Sequence, residues 1–244
     1  SEHHDLINDY MYVLLHKLEE DSHYADAAMN YDGHLYLDNS CFELGESLDN
    51  DLLYKWYKEL NPSIVIAPDV LGDKDKTIER TTAFIEAYPD AIISTMAVAQ
   101  GDSQESLIEC YNAFKGMGFS MLGIPFVYSW VPKEPLLQAA ERISLLKRMV
   151  EEGHIDTSIK HHLLGTWTAR EFLEYQDYDW VYSVDTSNPI MAAIDGYKYT
   201  DKGLWFKPHS TFDSTYELKS RDIDMVMLYN NVDSFREIVN GRQD

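Results

Sequence analysis

The sequence predicts an α/β protein: a TIM (β/α)8-type barrel carried by a single domain over residues 1–244. Three observations predict it. Short β-type runs alternate with helix-period segments, the pattern of a parallel sheet whose strands are joined by crossover helices. The 244 residues match the roughly 250 that such a barrel needs. Nearly every candidate strand closes on a polar residue or a glycine, as barrel strands do at the rim that carries chemistry.

In chain order, the segment Asp5 to Glu20 reads as a helix, since Leu6, Tyr10, Val13, Leu14 and Leu18 recur at helical spacing. An eight-stranded barrel then needs a strand before Ser1. Either the barrel is trimmed of that strand, or Met225 to Tyr229 and the histidine-bearing start make an incomplete or rearranged one. Candidate strands are Leu35 to Asp38, Ser63 to Asp69, Ile92 to Gln100, Met121 to Phe126, His161 to Gly165 and Val181 to Asp185. Between them Leu52 to Leu60, Asp75 to Ala87, Ser103 to Met117, Pro135 to Glu152 and Ala169 to Tyr175 read as amphipathic helices. Asp102-Ser103-Gln104-Glu105 supplies a cap and early acids, and Gly116 and Gly118 end the same helix. The competing architecture is an open doubly wound sheet, although neither GxGxxG nor a P-loop is present to serve its usual nucleotide-binding forms.

Composition narrows the function classes. A 45% hydrophobic, 13% aromatic chain is not disordered, and no apolar run approaches the roughly 20 residues that span a bilayer, so no membrane partner is expected. Cys41 and Cys110 are the only cysteines, too few for a disulfide scaffold or a Cys-rich zinc site. With no apolar leader at Ser1 to His4, the expected location is the cytoplasm. The nine histidines show no HExxH spacing, and adjacent strand residues such as His161 and His162 point to opposite faces, so no metal site is expected.

A net charge of −22 opposes contact with phosphate backbones. Residues 197–221 run against that trend, with Lys198, Lys202, Lys207, Lys219 and Arg221 set against Asp201, Asp213 and Glu217. Tyr197, Tyr199, Trp205, Phe206, Phe212 and Tyr216 interleave with them. Such a segment either holds phosphates and stacks on bases, or is an ordinary surface excursion whose aromatics pack inward.

The strand ends collect Asp38, Asp69, Gln100-Gly101, Gly123, Gly165 and Asp185. One aspartate after a strand commonly caps a helix or forms a turn. Three carboxylates and an amide at the same end describe a convergent pocket instead. Two carboxylates can divide labour there, one attacking an anomeric carbon while the other moves a proton. Gln100 and Gly101 offer an amide and open backbone to the edge of a planar heterocycle, and Phe42 offers it a face or simply packs in the core.

These residues resemble the tRNA-guanine transglycosylases, the queuine/archaeosine tRNA-ribosyltransferase family, and especially its shorter phage-type relatives that insert 7-deazaguanine bases into DNA. LDNSCFE (37–43) resembles the family's Asp-Ser-Gly-Gly-Phe-Gln turn, APD (67–69) its base-recognising aspartate segment, and VAQG (98–101) its Val-Gln-Gly. GIP (123–125) and HLLG (162–165) fall where the family has its later glycine-bearing strands, and SVDTSNP (183–189) where it has the nucleophilic aspartate. The resemblance implies Asp185 as nucleophile on C1′ and Asp38 as general acid/base. It also implies Asp69, Gln100, Gly101 and Gly123 around the base, with Phe42 stacking on it. Asn39, Ser40 and Cys41 depart from the family's small residues, and the C-terminal Cys/His zinc site of its tRNA enzymes is absent. The expectation is therefore a DNA enzyme of the host cytoplasm, working with a 7-deazaguanine co-substrate (preQ0/preQ1-type) and no cofactor, with tRNA as the lesser candidate. Lys198, Lys202, Lys207 and Arg221 would touch the nucleic acid. A nucleoside or glycoside hydrolase, a non-catalytic binding barrel, and a homodimer or protein partner offsetting the charge stay open.

Overall fold

Seven strands carry the fold: β1 (Met11–Leu14), β2 (Leu35–Asp38), β3 (Ile64–Ile66), β4 (Thr95–Val98), β5 (Met121–Ile124), β6 (Lys160–Leu163) and β7 (Val181–Val184). In this computed structural model, which describes residues 4–126, 128–209 and 223–241, each strand pairs in parallel with the next in chain order. Because the order never reverses, every crossover winds in one sense, and the sheet curls with helices on its convex face. That excludes the doubly wound alternative, whose strand order must reverse at a switch point. Among the described residues the result is a TIM-like half-barrel short of one strand.

The first segment corrects the sequence reading. Asp5 to Glu20 is not one helix but α1 (His4–Ile7), β1 and α2 (Leu15–Glu20). Tyr12 pairs with Tyr36, and Val13 with Leu37, in register with β2. Alternation explains the switch: Tyr10 and Tyr12 face the concave side, while Val13 is wholly buried with Leu15 and Leu18 on the convex side. Four residues are too few for a period of two to stand out from a helical pattern, so pairing with β2 decides the conformation. One strand of the barrel thus lies inside the segment read as a helix. Met225 to Tyr229 is no strand.

The remaining helices are α3 (Ser22–Met29), α4 (Cys41–Leu44), α5 (Asn50–Leu60), α6 (Lys74–Ala87), α7 (Gln104–Phe114), α8 (Pro135–Glu151), α9 (Asn188–Ile194) and α10 (Met225–Asn240). Ser103 caps α7 as its sequence suggests, its Oγ accepting from Ser106 N at 3.1 Å. Ala169–Glu174 is helical but of the tighter 3-10 kind, and so is Pro89–Ser94, which shortens the strand expected from Ile92. Pro68 and Pro125, lacking an N–H, stand just beyond β3 and β5, so those strands also stop short of the predicted ends.

Two apolar layers result. Between sheet and helices lie residues such as Val65, Phe84, Leu107, Phe114 and Leu146. On the concave side Tyr36, Ile64, Ile66, Met96, Val98 and Met121 fill the barrel interior. No ladder joins β7 to β1. Side chains bridge the seam at points instead: Tyr10 Oη donates to Val184 O at 2.6 Å, and Arg236 of α10 reaches Asp9 Oδ1 at 2.8 Å and Leu6 O at 3.2 Å. Asn231 ties α10 to the chain beyond β7, accepting from Tyr199 N and donating to Pro189 O and Tyr197 O. Among the described residues, no helix is long and apolar enough to cross a membrane.

Candidate active site

A cleft of about 1620 Å³ runs along the strands from one rim of the sheet to the other, and the C-terminal strand ends open into it. Asp38, Phe42, Asp69, Gln100, Asp185 and Lys207, chosen from five separate stretches of sequence, all line it. The strand geometry explains why. Asp38 is the last residue of β2, Asp185 follows β7 directly, and Gln100 and Asp69 sit two and three residues beyond β4 and β3.

Asp38 is 9% exposed. Its Oδ2 accepts from Tyr12 Oη at 2.7 Å and its Oδ1 from Ser40 N at 2.6 Å. Burial, with the nearby carboxylates Glu43 and Asp69, pushes its pKa up to about 7, against the lowering effect of those two hydrogen bonds. Ser40, which stands where the resembled motif has glycine, holds the left-handed conformation at φ 63°. Hydrogen bonding offsets that strain: Ser40 Oγ accepts from His16 N at 3.1 Å.

Asp185 is held differently. Its Oδ1 accepts from Gly165 N at 2.7 Å and contacts His162 Nε2 at 3.1 Å. No described protein donor reaches its Oδ2, and the side chain is 28% exposed at the cleft. Gly165 sits at φ 64°, and a Cβ there would run into the Phe126 ring, so glycine lets that amide approach the carboxylate. The buried Arg142 grips the same turn, donating to Leu164 O and Gly165 O at 2.9 Å each and pairing with Glu171.

Asp69 and Gln100 form a buried polar shelf. Gln100 Nε2 donates to Asp69 Oδ2 at 2.7 Å, Asn39 Nδ2 donates to Asp69 Oδ1 at 3.0 Å, and Gly72 N donates to Gln100 Oε1 at 3.2 Å. Burial raises the Asp69 pKa, and these hydrogen bonds restrain the rise. Across the mouth Phe42, 56% exposed, leans on Phe126 at 5.9 Å between centroids. Phe126 meets Trp167 edge to face at 5.1 Å, and Lys207 Nζ lies 3.6 Å from the Trp167 ring centroid. Burial lowers the Lys207 pKa.

Two residues predicted to surround the base do not reach the cleft. Gly101 packs against the start of α7, where a Cβ would collide with the Leu107 backbone; its lack of a side chain serves helix packing. Gly123 lies under Leu164, whose Cδ1 would be 2.6 Å from an added Cβ. Lys198 and Lys202 are exposed outside the cleft lining, and Arg221 falls outside the described residues, as do Phe212, Tyr216 and Lys219. The two histidines of β6 do face opposite ways: His161 meets Tyr111 Oη at 2.8 Å in the convex core, where burial lowers its pKa to about 4, and His162 faces Asp185.

Sequence reasoning missed Tyr10, Tyr12, Glu43, His162 and Ser183. For Tyr10, Tyr12 and Ser183 the signal was their place at alternate positions in and beside β1 and β7, with side chains that a wholly apolar interior would not use; Glu43 on α4 and His162 on β6 lie outside that signal.

Fold and rim together define a class: a parallel α/β half-barrel with paired carboxylates at the C-terminal ends of its strands. Neither a protein-family model nor a curated protein matches the chain in sequence.

Proposed function

We propose that the protein is a base-exchange transglycosylase, replacing guanine in DNA with a 7-deazaguanine through a covalent Asp185–deoxyribosyl intermediate. The observation that carries the reading is the opposite treatment of two carboxylates in one cleft. Asp38 is buried, with its pKa pushed up to about 7, whereas Asp185 is pinned through Oδ1, is 28% exposed and has no described donor at Oδ2. The order of motifs along the chain supports the same assignment.

In the first half-reaction Asp185 Oδ2 forms a bond to C1′ as the C1′–N9 bond breaks, and the departing guanine takes the proton of Asp38. In the second the incoming base gives its N9 proton to Asp38, N9 attacks C1′, and Asp185 is released. Nothing is oxidised or reduced. The shelf of Asp69 and Gln100 offers acceptors and an amide to the Watson–Crick edge of a guanine-like ring, and Phe42 offers a stacking face. A base in duplex DNA must leave the stack to reach the cleft.

The test is incubation with DNA, tRNA and labelled 7-deazaguanine, followed by digestion and mass identification of the modified nucleoside. Label is expected in DNA, with Asp185→Asn losing both incorporation and the covalent adduct. Full exchange by that variant removes the nucleophile, and label in tRNA alone reverses the choice of polymer. The net charge of −22 favours a second reading, hydrolysis of a small uncharged nucleoside by the same carboxylates. Free base released without incorporation would select it.

A further inference from the structure

Behind Asp185 runs a file of hydrogen bonds that the base-exchange reading leaves unused. Tyr36 Oη lies 3.3 Å from Ser183 Oγ, Ser183 Oγ lies 2.8 Å from His162 Nδ1, and His162 Nε2 lies 3.1 Å from Asp185 Oδ1. An ionised carboxylate only accepts, so in a neutral ring the nitrogen facing Asp185 carries the hydrogen. Nδ1 is then an acceptor and takes the Ser183 hydroxyl hydrogen, which leaves Ser183 Oγ to accept from Tyr36. Every donor in the file points toward Asp185. The ring is also enclosed: the His162 side chain has no exposed surface, and the rings of Tyr36 and Tyr10 stand 5.7 and 6.4 Å from it.

We propose that His162 is a positioning residue, locked by Ser183 as the neutral Nε2–H tautomer. With the Gly165 N–H it occupies Asp185 Oδ1, so that Oδ2 is the oxygen presented to the sugar. A carboxylate held at one oxygen keeps the other at a fixed angle, and the attack trajectory is thereby set before substrate arrives. The identity of the attacking group rests on the base-exchange reading. The tautomer does not.

Two measurements separate them. In histidine-15N-labelled protein, long-range proton–nitrogen NMR reports which ring nitrogen is protonated, with the His162 signals assigned by their loss in His162→Gln. A bare Nδ1 and a protonated Nε2 at neutral pH are expected, with Ser183→Ala disturbing that pattern. An Nδ1–H ring or an imidazolium in the wild type overturns the proposal. In single turnover at saturating DNA, His162→Leu should slow adduct formation roughly 10- to 100-fold, the rate equivalent of one hydrogen bond to a charged group. The Kd for DNA should hold, and His162→Gln, which keeps an N–H donor, should recover most of the rate. Equal losses in Gln and Leu, or a loss confined to Kd, overturn the positioning role. A wild type that never forms adduct refutes the base-exchange reading, while the NMR result still decides the tautomer.

Discussion

Asp38 shows how burial and hydrogen bonding compete over one proton. Its ordinary value of 3.8 rises to about 7 in the fold because desolvation outweighs the donors Tyr12 and Ser40. Between those values the folded protein keeps a proton that the unfolded chain has released, so stability falls as pH rises through that window. Asp38→Asn should therefore flatten the pH dependence of urea unfolding there and raise stability at about pH 8 by about 2–4 kcal/mol. Unchanged pH dependence in the variant would mean that Asp38 ionises freely. Tyr12 acts in the opposite sense to burial, since its hydroxyl stabilises the ionised form. If Asp38 protonates the departing base, adduct formation should decline as pH rises through about 7, and Tyr12→Phe should move that decline to higher pH. A limb moving downward in rapid-quench rates would contradict the assignment.

At the scale of elements, the turn after β6 is held by side chains from two other elements. Arg142 projects from α8 through the convex core to two carbonyls of that turn, and Glu171 from the 3-10 segment Ala169–Glu174 neutralises it. Both side chains are essentially without exposed surface. Removing one partner strands a buried charge, so Arg142→Met should cost about 3–5 kcal/mol in urea unfolding. Arg142→Met combined with Glu171→Leu should cost less than the single change, because no charge is then left unpaired. A double variant worse than the single would show that Glu171 supports the fold through contacts other than its pairing with Arg142. The same geometry makes Gly165 a poor site for any side chain, since its positive φ and the Phe126 ring both exclude a Cβ.

For the whole molecule, the unclosed seam and the charge matter most. Seven strands leave the interior open beside β1 and β7, and α10 covers the gap with Val232, Phe235 and Val239 along the cleft. Asp185 follows β7 at the edge of that gap and Asp38 ends β2, one strand in from β1, so the proposed planar substrate would have room there that a closed barrel filled with side chains lacks. A net charge of −22 repels DNA at a distance, and the few cations near the mouth act only at short range. Raising ionic strength from about 0.01 to about 0.15 M shortens the screening length from roughly 30 to 8 Å. Association with single-stranded DNA should then quicken in stopped flow, the reverse of an ordinary basic nucleic-acid-binding face. A rate that falls steadily with salt would show that local cations dominate the approach.

Strands β2 to β7 and the positions of Asp38, Asp69, Gln100 and Asp185 were legible in the amino-acid order, because buried parallel strands are apolar runs and their ends announce themselves as the first polar residues. β1 was not legible: its four residues fit a helical spacing equally well, and only pairing with β2 separates the two. The partners of each carboxylate were also hidden. Tyr12 lies 26 residues from Asp38 and His162 lies 23 from Asp185, and such separations are closed by the curl of the sheet. Local order thus chose the strands and which carboxylates stand at their ends. Tertiary packing chose which carboxylate is desolvated, which is pinned at one oxygen, and which glycines serve packing, since burial and hydrogen-bond geometry arise only when distant segments meet.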